Sequence, residues 1–88
     1  MTFALIILMC SATSYGTVVD GVPQCQLGAP GVIEAHWLPG TFDNVRFCHT
    51  KGSIVFRNYP PPAGSVATWV CVDPADADKA GLKVEGTP

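Results

Sequence analysis

Residues 44–72 read NVRFCHT-KG-SIVFRNY-PPPAG-SVATWVCV, and the reading of this stretch decides the fold. Three runs rich in β-branched and aromatic residues are separated by Lys51-Gly52 and by Pro60-Pro61-Pro62-Ala63-Gly64. Apolar and polar residues alternate in Val45-Arg46-Phe47 and again in Ala67-Thr68-Trp69, the period-2 signature of a half-buried strand. Lys51-Gly52 has the form of a tight turn joining antiparallel strands. Ser53-Ile54-Val55-Phe56-Arg57-Asn58-Tyr59 has the strongest strand composition in the chain. The prolines that follow end it, because they supply no N–H to a ladder or a helix. Three strands are therefore expected, over residues 45–49, 53–59 and 66–72, with Val45, Phe47 and Trp69 facing the core.

Outward from this unit, the flanking segments read as partners or connections. Residues 32–38 (VIEAHWL) form a strand candidate. Alternation puts Val32, Glu34, His36 and Leu38 on one face and Ile33, Ala35 and Trp37 on the other, wholly apolar, core face. Upstream, Thr17-Val18-Val19 is a short first strand ended by the turn pair Asp20-Gly21, and Pro23 keeps residues 22–27 out of a central sheet position. Downstream, Asp73-Pro74-Ala75-Asp76 places a capping residue, a proline at the first helical position and an acid in the first turn. One helical turn is expected there, stopped by Gly81. Leu82 to Glu85 reads as a short edge strand with Leu82 and Val84 inward, and Gly86-Thr87-Pro88 as a frayed end. No helix of ordinary length is predicted. The expected fold class is all-β: a small antiparallel sandwich or partial barrel of five to six short strands, held by one disulfide.

Size makes the disulfide matter. A chain of 88 residues buries only about 60% of the surface its unfolded form exposes, so its core alone leaves it marginal. Small secreted domains close that gap with cystine bridges. Residues 3–10 (FALIILMC) form an unbroken apolar run, too short to span a bilayer as a helix, and small residues follow it. That layout predicts a secretory signal over residues 1–16, cut after Ala12, Ser14 or Gly16, and a single small β domain over residues 17–88. The run lacks a preceding Lys or Arg, and the other reading is an N-terminal strand buried in the core. Removal of the signal takes Cys10 with it and leaves three of the four cysteines. One bridge and one free thiol then remain. Loop entropy favours Cys25–Cys71 over Cys48–Cys71 by only about 4 against 3.4 kcal/mol, too small a gap to select the pair. Alternation separates Cys48 from Cys71, which shares a face with Trp69, and so favours Cys25–Cys71 with Cys48 as the free thiol. Cys25, Cys48 and Cys71 are evenly spaced, but the segments between them share too little to be repeats.

Few residues carry chemistry. Net charge is −2 and the five basic residues are scattered along the sequence, which argues against a nucleic-acid partner and against an anionic-membrane patch. Glu34 and His36 share a strand face and could act as a base with its orienting carboxylate. Cys48 and His49 are adjacent, so on a strand they point apart and form no nucleophile–base pair. No catalytic residue is assigned. No C-x-x-C or H-x-x-x-H spacing supports zinc, and Asp73, Asp76 and Asp78 lack the glycine and closing glutamate of a calcium loop. No metal or cofactor is expected. Tyr59-Pro60-Pro61-Pro62 suits either a rigid loop or a polyproline ligand for an aromatic groove, and His36 and Trp37 complete the candidate binding set.

With strands set between Cys25 and Cys71 behind an apolar leader, the chain resembles the MAX effectors of plant-pathogenic fungi over roughly residues 22–85. That family implies two packed three-stranded antiparallel sheets, a disulfide between the counterparts of Cys25 and Cys71, and a host-directed binding role without catalysis. Cys48 and the proline-rich loop depart from its pattern. The function expected is therefore that of a small secreted, non-enzymatic interaction protein of effector or toxin type. It would engage a protein partner through a strand edge or the proline loop, with no stable membrane insertion once the signal is removed. A secreted inhibitor or carbohydrate-binding module predicts instead an exposed Trp37 or Trp69 beside a groove. A small hydrolase predicts His36 or His49 in a pocket.

Overall fold

A computed structural model describes residues 2–11, 18–19, 22–23, 25–28 and 31–84. At its centre stands β1 (Ala4–Ser11), with β4 (Val32–Trp37) on one side and β5 (Ser65–Val72) on the other, both antiparallel to it. A separate two-residue ribbon pairs β2 (Val18–Val19) with β3 (Val22–Pro23). Two helices complete the fold, α1 (Val45–Val55), extended by a 3-10 turn over Phe56–Asn58, and α2 (Pro74–Lys79). The domain is small and mainly β. One three-stranded sheet with helical cover and two disulfides stands in place of a sandwich or barrel of five to six strands and one disulfide.

β1 explains the apolar run. Every residue from Ala4 to Cys10 is buried, the most exposed being Met9 at 2%. A strand covered on both faces needs apolar side chains at successive positions, so it loses the alternation of a half-buried strand. Across the register, Ile6 lies between Trp37 and Val70, and Leu8 between Ala35 and Thr68. With Cys10 these side chains build one half of the core, closed by Ala77 of α2 and by Leu82, Cys25 and Leu27. Leu5, Ile7 and Met9 point the other way, in rows with Cys71, Trp69 and Ala67. That second face lies beneath α1. The fold thus includes the segment that reads as a secretory leader. The cut sites Ala12, Ser14 and Gly16 lie outside the described residues, and a chain shortened at any of them would lose β1 and Cys10 together.

The bridges follow the two faces. Cys10 joins Cys25 on the α2 side and Cys48 joins Cys71 on the α1 side, so no cysteine is free. This replaces the expected Cys25–Cys71 bridge and the free thiol at Cys48. The physical reason is that Cys48 sits on a helix, where its side chain turns inward beneath α1, and that Cys10 lies on β1 within reach of Cys25. Two disulfides in so small a domain are consistent with an extracellular protein.

α1 replaces the strands expected over residues 45–49 and 53–59. Asn44 caps it, its side-chain oxygen accepting from the Arg46 N–H at 2.8 Å. Cys48, Gly52, Val55 and Phe56 recur at helical spacing and form its inward side, of which Cys48 and Gly52 are fully buried. Gly52 is therefore not a turn residue. A Cβ there would overlap the Trp69 indole, so its missing side chain is what lets α1 lie close against β5.

Elsewhere the expectations hold more closely. β5 and β4 match the strands read at residues 66–72 and 32–38. Ala35 and Trp37 pack against the core as alternation requires, but Ile33 is 55% exposed. The register shifts between Met9 and Cys10, and this bulge turns Val32 inward in place of Ile33. α2 begins as expected, with Asp73 accepting from the Ala75 N–H at 2.8 Å and Pro74 in the first turn, and Gly81 follows it at φ 80°. Leu82 packs inward and Val84 makes a single parallel bridge to Trp37. The Asp20-Gly21 turn, Glu85 and the terminal Gly86-Thr87-Pro88 lie outside the described residues.

Candidate partner-binding site

Trp69 organises the face beneath α1. Register places it in one row with Ile7 and His36 across the sheet. Phe56 packs on the indole with ring centroids 5.0 Å apart and planes tilted by 44°. The indole Nε1 donates to His49 Nδ1 at 3.1 Å. That bond satisfies a donor that would otherwise be costly to bury. Trp69 is thus a half-buried packing residue held by Gly52 and His49 of α1 and by Phe56 of the 3-10 turn.

Beyond Phe56 the chain crosses the sheet. The 3-10 turn carries Tyr59 onto His36, ring centroids 5.2 Å apart, and His36 Nε2 lies 3.3 Å from the Glu34 carboxylate. Pro60, Pro61 and Pro62 then lead into β5. The loop is anchored at its far end, where the Ser65 N–H and hydroxyl both donate to the Pro62 carbonyl, at 3.0 and 2.6 Å. Gly64, at φ 81°, makes the turn between them.

This loop and the first residues of β5 enclose a groove of about 320 Å³, lined by Phe56, Arg57, Tyr59, Pro60, Pro61 and Ser65 to Ala67. Its walls are mostly apolar, and Arg57 stands over the Phe56 ring with its guanidinium carbon 5.8 Å from the centroid. A second groove of about 200 Å³ lies between Leu5, Leu38, Pro39, Phe42 and Lys51. Neither groove is lined by a histidine or a carboxylate.

The residues singled out in the sequence are divided by the fold. Tyr59, Pro60 and Pro61 line the first groove, His36 supports Tyr59 from behind, and Pro62 ties the loop. Trp37 points to the opposite face and packs in the α2-side core, its Nε1 buried without an acceptor among the described residues. Cys48 is bridged and the His49 Nδ1 is engaged by Trp69. Among the described residues no three His, Cys, Asp or Glu side chains gather to hold a metal ion, and no helix is long and apolar enough to cross a membrane. Phe47 and Ile54, 68% and 62% exposed, were hidden by the strand reading. The Asn44 cap and the spacing of Cys48, Gly52 and Val55 are the signals that reveal them. Comparison of the chain with protein-family models, curated proteins and solved structures finds no match.

Proposed function

We propose that this chain is a non-enzymatic interaction protein of effector or toxin type, acting outside the cell, that binds an extended segment of a protein partner. One observation carries the reading. The proline loop and the start of β5, the edge strand it leads into, line the same groove. β5 has β1 on one side and no strand hydrogen-bonded to its other side among the described residues. An incoming strand can add to that edge through main-chain hydrogen bonds while its side chains rest on Tyr59, Pro60 and Pro61. The loop is preorganised by its prolines and by the Ser65–Pro62 contacts, which lowers the entropy lost on binding. Two disulfides hold the scaffold and favour an oxidising, extracellular setting.

The test is selection of peptides from a random display library on the oxidised full chain, followed by titration against two variants. Tyr59→Ala removes the aromatic wall, and Ala67→Pro removes an N–H that faces away from β1 and obstructs the edge. Enrichment of extended, β-prone peptides whose affinity falls by more than about tenfold in Tyr59→Ala supports the reading, since buried aromatic anchors carry about 2 kcal/mol or more. Failure to enrich any peptide, or equal binding by both folded variants, refutes it.

A further inference from the structure

The outward side of α1 is apolar and cationic at once. Phe47 and Ile54 are seven positions apart, so at about 100° per residue they fall on one line along the helix, and both stand largely in solvent. Arg46 lies on one flank of that line and Lys51 on the other, with Arg57 following in the 3-10 turn, and all three are exposed. Three of the chain's five basic residues are thus gathered here, and residues 44–59 contain no Asp or Glu. The nearest carboxylate in sequence, Asp43, precedes the cap, and Glu34 on the same sheet face is engaged by His36. On the opposite face, Asp73, Asp76 and Asp78 are exposed on and beside α2. With Lys79 and Lys83 counted, residues 73–83 carry a net charge of −1, against +3 over residues 44–59, so the sheet separates a cationic side from a weakly acidic one.

We infer that the outward face of α1 is a docking surface for an anionic lipid bilayer, with Phe47 and Ile54 entering the headgroup boundary and Arg46, Lys51 and Arg57 meeting the lipid charge. The face is convex. Neither of the two grooves described is lined by Phe47 or Ile54, although Arg57 borders the first and Lys51 the second, so a rigid protein partner would have to supply its own groove, whereas a fluid interface conforms to a projecting helix. Charge complementarity selects anionic lipid, and the weakly acidic α2 side orients the molecule with α1 toward the membrane. The α1 helix is already formed and clipped to β5 by Cys48–Cys71, so docking needs no folding step. This surface shares Arg57 with the groove at Tyr59, and Phe47, Ile54, Arg46 and Lys51 test it without touching that groove.

The experiment is co-sedimentation of the oxidised full chain with phosphatidylcholine vesicles, with and without phosphatidylserine. Binding is expected only with phosphatidylserine and weakens as salt is raised. Arg46→Gln and Lys51→Gln each lower the partition constant by about fivefold. Phe47→Ser with Ile54→Ser lowers it by more than about tenfold. Both serine positions are exposed, so the variant keeps its fold, checked by circular dichroism. Phe47→Trp should show a blue-shifted emission on the anionic vesicles alone. Equal binding to both vesicle types, no binding to either, or undiminished binding by the folded serine variant overturns the inference. Binding to soluble polyglutamate without binding to vesicles also overturns it and assigns the face to an acidic protein partner.

Discussion

Removing residues 1–16 should abolish the fold. Leu5, Ile6, Ile7, Leu8 and Met9 are each at most 2% exposed. At about 1.5–3 kcal/mol for each fully buried side chain, they contribute about 8–15 kcal/mol of burial free energy. This is an upper value, since unfolded chains already bury part of their surface. A domain of this length has a total stability of only about 4–13 kcal/mol. The deletion also removes Cys10, and with it the Cys10–Cys25 bridge, whose short loop is worth about 3 kcal/mol. β4 and β5 pair with β1 and not with each other, so no sheet remains between them. The assay compares the full chain with residues 17–88 by urea denaturation, followed by Trp fluorescence and far-ultraviolet circular dichroism. The full chain should unfold cooperatively and the shortened one should show no transition. A cooperative transition and a native near-ultraviolet spectrum in the shortened chain would refute the central placement of β1. It would support the reading of residues 1–16 as a removable leader.

Two further outcomes test the α1 face. Gly52→Ala gains helix propensity, about 1 kcal/mol, but sets a methyl against the Trp69 indole in a packed interface, which costs about 1–3 kcal/mol. A net loss of up to about 2 kcal/mol is expected as a lower urea midpoint, and a raised midpoint would contradict the close approach of α1 to β5. Alkylation of the unreduced chain should find no thiol, and reduction should release four. Peptide mapping should link Cys10 to Cys25 and Cys48 to Cys71. One free thiol per chain, or a Cys25–Cys71 peptide, would remove the clip that holds the helix.

The legible parts of the sequence were those where local and tertiary preferences agree. β5, β4 and α2 carry signals that the fold satisfies: alternation around Trp69 and Trp37, and the Asp73-Pro74 start with Gly81 at the end. α1 was not legible because its composition is β-branched and aromatic while its geometry is set by what it covers. Val45-Arg46-Phe47 alternates, yet Phe47 faces solvent, and Cys48 turns in to meet Cys71. Gly52 resembles a turn residue and is a contact residue, a distinction that only the position of Trp69 makes. The apolar run is ambiguous for a different reason. A strand buried on both faces and the core of a leader demand the same side chains, so composition cannot separate them. Reading it as a leader sets Cys10 aside and leaves three cysteines to pair, whereas with Cys10 present the bridges are Cys10–Cys25 and Cys48–Cys71. In the candidate site, Tyr59 and the prolines were visible from their chemistry. Their union with the β5 edge depends on the path of the chain across the sheet.

The placement of β1 also has a consequence in time. Ser11 finds its partner at Ser65 and Ala4 finds its partner at Val72. Synthesis must therefore proceed through most of the chain before the strand on that side can close. At about 5–20 residues per second, some 3–12 seconds separate the appearance of this apolar segment from that of its last partner. Throughout that interval the nascent chain presents a naked hydrophobic end to whatever surrounds the ribosome, whether export machinery, a chaperone or another chain. In that interval, capture of those eight residues competes with the arrival of β5.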